Sequence, residues 1–111
     1  MGERIADVSR RVAERVEEVR AEHEADGRVT LRRRRFGAVK ARLVAAAGVP
    51  PDLTVHLDPL GTSAWLLIDG RRTVAEIRAE LGKAHPTEAD LGPRLGKFLG
   101  AMVSNGFVRL R

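Results

Sequence analysis

Leu57-Asp58-Pro59-Leu60-Gly61-Thr62-Ser63-Ala64-Trp65-Leu66-Leu67-Ile68-Asp69-Gly70-Arg71-Arg72-Thr73-Val74-Ala75-Glu76-Ile77 decides the fold. Asp58-Pro59 starts a helix, because Asp caps free backbone amides and Pro fits the first helical position, where an N–H has no partner anyway. Leu60, Ala64, Trp65, Leu67 and Ile68 supply its apolar positions, and Asp69-Gly70 stops it. Thr73 and Glu76 have capping-box spacing, each side chain reaching the other's backbone amide. Val74, Ile77 and Leu81 then predict a buried helix face, with Gly82 expected to end that helix and His85-Pro86 to turn the chain. A third helix is read from Leu95, Phe98, Leu99, Met102 and Val103, closed by Asn105-Gly106. Its start is open between a Thr87 cap and a Gly92 cap with Pro93 at the first helical position.

Working outward, Leu53-Thr54-Val55-His56-Leu57 alternates apolar and polar residues, the period of a half-buried strand. Upstream, residues 28–34 read as a short strand around Val29-Thr30-Leu31. Phe36 to Ala47 reads as a helix stopped by Gly48 and blocked by Pro50-Pro51. Phe107-Val108-Arg109-Leu110 is a closing strand. At the other end, Ile5, Val8, Val12, Val16 and Val19 recur at spacings of three and four, predicting an amphipathic helix over 3–25 that Asp26-Gly27 ends. The expected fold class is α+β: a winged helix-turn-helix with a small antiparallel sheet and an extra N-terminal helix. The expected organisation is a helical arm over 1–27 and a winged-helix domain over 28–111. The arm's narrow valine stripe suits a homodimer seam, with packing on its own domain as the alternative.

The quoted stretch, followed by Ser104-Asn105-Gly106-Phe107-Val108, resembles the PqqD family, named for coenzyme pyrroloquinoline quinone biosynthesis protein D. The resemblance rests on Trp65, Asp69-Gly70 and Thr73-Val74-x-Glu76-Ile77, and covers about residues 53–110. It implies a compact winged-helix domain that recognises the leader of a ribosomally made precursor peptide and presents it to a modifying enzyme, often a radical S-adenosylmethionine enzyme. It also implies that the leader adds as a strand to the small sheet beside the last helix. The 1–26 arm and the 36–47 segment depart from the short family members, which leaves another peptide pathway open beside quinone assembly.

Composition narrows the function classes. The chain has 111 residues, 43% hydrophobic and 32% charged, which suits one globular domain rather than a disordered segment. With no cysteine, disulfides, thiolate metal sites and cysteine nucleophiles are excluded together. No apolar run approaches the roughly 20 residues of a membrane span. The N-terminus stays charged where a signal peptide would be apolar, so a cytoplasmic protein is expected. His23, His56 and His85 show no metal-ligand spacing, and neither a phosphate loop nor a nucleophile motif occurs. No enzyme activity, no metal and no cofactor are expected.

Function is therefore expected on surfaces. A strand of Leu53, Thr54, Val55, His56 and Leu57 at a sheet edge would offer backbone donors and acceptors to an extended peptide. Gly92, Gly96 and Gly100 share one face of the last helix and admit a close backbone, either of the domain itself or of a guest. Arg94, Lys97, Phe98 and Ala101 complete the expected peptide-binding set, with Arg94 and Lys97 drawing acidic side chains. The net charge of +5, with seven basic residues and no acid over 28–42, keeps a DNA-binding winged-helix regulator as the rival. Neither candidate recognition helix carries the polar side chains that read bases, so nucleic acid is the weaker partner. An oligomerisation or scaffold role is the other alternative.

Overall fold

Helix-capping chemistry at Thr73 and at Asn105-Gly106 organises the C-terminal half. The computed structural model describes residues 8–34 and 52–111, with Ala46 and Gly48. In chain order the elements are β1 (Ala13–Arg15), β2 (Arg20–His23), β3 (Val29–Arg34), β4 (Asp52–His56), α1 (Pro59–Leu67), α2 (Val74–Ala84), α3 (Leu91–Ser104) and β5 (Val108–Leu110). The chain is thus mixed α+β, and its sheets are antiparallel. It divides into two units, residues 1–16 with 59–111, and residues 17–58.

In the first unit α1 packs on α2, α2 on α3, and α3 on β5. Asp69 Oδ1 accepts from the Arg71 and Arg72 amides, both at 2.9 Å, and fixes the turn after α1. Thr73 caps α2 in a complete box: its hydroxyl accepts from the Glu76 amide at 3.2 Å, and Glu76 accepts from the Thr73 amide at 3.0 Å. The end of α3 is a Schellman turn. Gly106 takes φ 76°, its N–H reaches Val103 O, and the Phe107 N–H reaches Met102 O at 2.8 Å. That turn delivers Phe107 to the interior and starts β5, which pairs with β1 (Ala13 opposite Leu110, Arg15 opposite Val108). The buried side chains of this unit include Trp65, Ile68, Ile77, Leu81, Leu99 and Phe107. Burying such a side chain stabilises by about 1.5–3 kcal/mol.

The second unit is a three-stranded sheet in the order β2-β3-β4. Val29 and Leu31 of its central strand are fully buried. The β2–β3 hairpin turns at Asp26-Gly27, where Gly27 takes φ 88° and Asp26 Oδ1 accepts from the Arg28 amide at 3.0 Å.

Several expectations are corrected. The helix over 3–25, and with it the helical arm over 1–27, does not form over the described residues beyond 8–10. Residues 13–15 and 20–23 are strands instead. Neither strand contains a valine; each forms through its partner, β1 pairing with the remote β5 and β2 with β3, which no local period reveals. Val12, read as a dimer-seam position, bridges to Thr73. Asp26-Gly27 is a hairpin turn rather than a helix stop, a use for which that dipeptide is well suited. Gly82 lies inside α2, which runs on to a cap at His85. α3 starts at neither expected place: Asp90 is its N-cap, in a left-handed conformation, and Pro93 is the third helical residue, where its N–H would still lack a partner. The strands at 28–34 and 53–57 form, as Val29–Arg34 and Asp52–His56. The helix expected over 36–47 lies outside the described residues apart from Ala46, which is helical.

Candidate functional site

The parity of β4 is set by its ladder to β3. The Leu57 amide donates to Val29 O at 2.9 Å, and the register places Val55 opposite Leu31 and Leu53 opposite Arg33. Hydrogen-bonded pairs alternate along an antiparallel ladder. Leu53, Val55 and Leu57 therefore turn their backbone groups toward β3, while Asp52, Thr54 and His56 turn theirs away. Among the described residues no strand pairs with that outer side. The side chains alternate too: Asp52, Thr54 and His56 are exposed, Leu53 and Val55 half-buried. Leu57, just past the strand, is buried.

Polar contacts with β3 and the hairpin hold the end of β4. Thr30 is buried, with 1% exposure, and its hydroxyl donates to Glu24 Oε1 at 2.8 Å. Having one proton to give, that hydroxyl accepts from His56 Nδ1, 3.0 Å away. Arg28 Nε donates to Leu57 O at 3.0 Å. Glu24, Asp26, Arg28, Thr30, His56 and Leu57 line a cavity of about 200 Å³ here. The alternation of 53–57 was visible in the sequence. The parts of Glu24, Arg28 and Thr30 were not, because they arise from strand register.

In the other unit, α3 carries Arg94, Lys97 and Ala101 exposed and Phe98 half-buried. Arg94 is not a lone cation, since its Nη1 lies 2.7 Å from Glu88 Oε2. Lys97 has no ion pair among the described residues. The glycines of this face have different surroundings. A Cβ at Gly92 would lie 2.9 Å from Arg78 Nε, so a side chain of α2 uses that close approach, whereas Gly96 and Gly100 have nothing within 4 Å. Among the described residues, the self-packing reading finds support at Gly92 alone.

Trp65 is a core residue, 1% exposed. Among the described residues no cluster of three His, Cys, Asp or Glu is placed to hold a metal ion. His85 Nε2 meets Ser63 Oγ at 2.8 Å, tying the end of α2 to α1. The perturbed carboxylates are structural. Amides of Arg72 and Arg71 hold Asp69 below its ordinary pKa, and the amide and hydroxyl of Thr73 do the same for Glu76.

The family model for Coenzyme PQQ synthesis protein D (PqqD) matches residues 49–108, more than half of the chain. The chain belongs to the PqqD family. No curated protein and no solved structure matches it. PqqD proteins are peptide-binding, non-catalytic accessory proteins of cofactor and modified-peptide biosynthesis, which bind a precursor peptide and work with a modifying enzyme. The PqqD match includes β4, α1, α2 and α3, so every expected peptide-binding residue falls inside it. No helix of the described residues is long and apolar enough to cross a membrane. Membership in PqqD does not favour a DNA-binding regulator or a scaffold.

Proposed function

We propose that this protein is a peptide chaperone: it takes the leader of a precursor peptide as an added strand on the outer side of β4 and presents it to a modifying enzyme in the cytoplasm. One observation carries the reading. The backbone groups of Asp52, Thr54 and His56 point away from the sheet, on a side where no described strand pairs. Such groups provide affinity to any extended chain, and neighbouring side chains select among chains. On this reading α1, α2, α3 and β5 form a winged helix-turn-helix, and the enzyme served is of the radical S-adenosylmethionine type. The α3 residues Arg94, Lys97, Phe98 and Ala101 are a second candidate contact.

Thr54→Pro tests it. Proline removes the Thr54 N–H, which faces away from β3, and leaves the β3–β4 ladder intact. The variant is expected to keep its fold by circular dichroism and to lose at least tenfold in leader affinity. Backbone shift mapping with the leader should move Leu53 to Leu57. Undiminished binding by Thr54→Pro, or shifts confined to residues 8–25, would overturn the proposal.

A further inference from the structure

The register of the second unit stacks an unusual rung. Arg20 of β2 lies opposite Arg32 of β3, and Arg32 lies opposite Thr54 of β4. Like charges directly opposite one another destabilise a sheet, and this rung contains no carboxylate. Arg20 has no ion pair among the described residues. The partner of Arg32 is Glu22, on the next rung, at 3.6 Å, with both side chains about half exposed (47% and 52%). Beside the rung lies a cavity of about 300 Å³, lined by Arg20, Arg32, Arg33 and Arg34 against Glu18, Glu22 and Asp52. The rung thus runs cation, cation, small hydroxyl, and ends at the side of β4 where no described strand pairs.

We infer that the peptide taken by this protein carries a glutamate opposite Thr54, with an apolar residue on each side of it. The inference rests on strand addition at β4 and adds to it the class of chain selected. A residue opposite Thr54 continues the rung on the polar face. It stands two strand spacings, about 10 Å, from Arg32, and Thr54 is too short to block the guanidinium from reaching across. A long carboxylate suits that gap and answers the single excess cation left when the cavity's four arginines are set against its three carboxylates. The two neighbouring peptide residues fall beside Leu53 and Val55, on the side where Val29 and Leu31 are fully buried, so they are apolar. The apolar–Glu–apolar pattern reads the same in both chain directions and therefore holds for parallel or antiparallel addition. A nucleic acid fits this face less well. Its closely spaced phosphates, about one charge per 1.7 Å of duplex, exceed that single excess cation and would crowd Glu22 and Asp52, whose side chains share the face by register.

The test uses the full chain and two synthetic probes, a 12-residue peptide with a central Val-Glu-Leu and the same peptide with Val-Gln-Leu, measured by fluorescence anisotropy. A 12-base-pair duplex DNA is the third probe. The Glu probe should bind about three- to fivefold more tightly than the Gln probe, the size of one exposed ion pair. Arg32→Gln should erase that difference by weakening the Glu probe alone, while Arg71→Gln, in the other unit, should preserve it. Melting curves verify that both variants fold. Equal affinity for the two peptides, equal loss of both in Arg32→Gln, tighter binding of the DNA, or no peptide binding would overturn the inference. If both peptides bind equally and both are lost in Thr54→Pro, strand addition stands and the acid preference falls. If both survive Thr54→Pro, strand addition itself falls.

Discussion

The guanidinium carbon of Arg15 lies 4.7 Å from the centre of the Trp65 ring, and Arg15 Nη2 donates to the Trp65 carbonyl at 2.9 Å. One side chain of β1 thus holds both the ring and the backbone of a core residue on α1. Burial lowers the Arg15 pKa, and nearby Asp69 opposes that shift; the group stays charged at any ordinary pH.

Arg15→Gln should therefore destabilise the protein by about 1 kcal/mol, through the lost cation–π contact and hydrogen bond. Thermal unfolding followed by the emission of the chain's one tryptophan checks this directly. Arg15→Lys should recover only part of the loss, because an ammonium lacks the planar fork. An unchanged midpoint in Arg15→Gln would show that the contact contributes nothing.

The capping box makes a prediction about acid. The folded-state pKa of Glu76 is depressed, by its bonds from the Thr73 amide first and hydroxyl second. A depressed carboxylate contributes stability above its ordinary pKa and loses it as pH falls through the folded value. Glu76→Gln should accordingly melt below the wild type at pH 7, and the two should converge as pH drops below the ordinary carboxylate range. Thr73→Ala, which removes the N-cap itself, should cost about 1 kcal/mol at pH 7. A wild-type advantage over Glu76→Gln that persists undiminished in acid would contradict the assignment.

Thr30 joins Glu24 on one side to His56 on the other. Thr30→Val keeps the shape and deletes the hydroxyl with its bonds to the exposed Glu24 and His56, and should cost about 0.5–1.5 kcal/mol. Thr30→Ser should cost less, since it keeps the hydroxyl. Hydrogen exchange at the Leu57 amide, which closes the β3–β4 ladder at Val29, should speed up in the valine variant first. Uniform exchange across the sheet in both variants would show that the hydroxyl does not hold the strand end.

Elements were legible from the sequence where their signals are local. The starts of α1 and α2 are written in Asp58-Pro59 and Thr73-x-x-Glu76, and the end of α3 in Asn105-Gly106, each within four residues of the feature it controls. β1 was not legible, because its partner Leu110 is remote from Ala13 along the chain and the valine spacing imitates a helix. The β2–β3 hairpin has its turn in the Asp26-Gly27 pair, which the same valine spacing makes read as a helix stop. At β4 the alternation predicted a half-buried strand. The direction of its free backbone groups follows only from its register with β3, and so does the Arg20–Arg32–Thr54 rung.

Gly96 and Gly100 allow stability and binding to be separated. Both lie within α3, exposed, with nothing among the described residues within 4 Å of an added Cβ. Glycine in an exposed helix interior costs roughly 0.5–1 kcal/mol relative to alanine. Gly96→Ala and Gly100→Ala should therefore each raise stability by about that amount, read from denaturant midpoints, with an unchanged m-value. If this face of α3 takes part in peptide binding through close backbone approach, the stabilised variants should bind leader peptide at least threefold more weakly, since the new methyl groups stand where the guest chain would lie. A stabilised variant with undiminished affinity would remove the glycine face from the peptide's path and leave the β4 side as the recognition element.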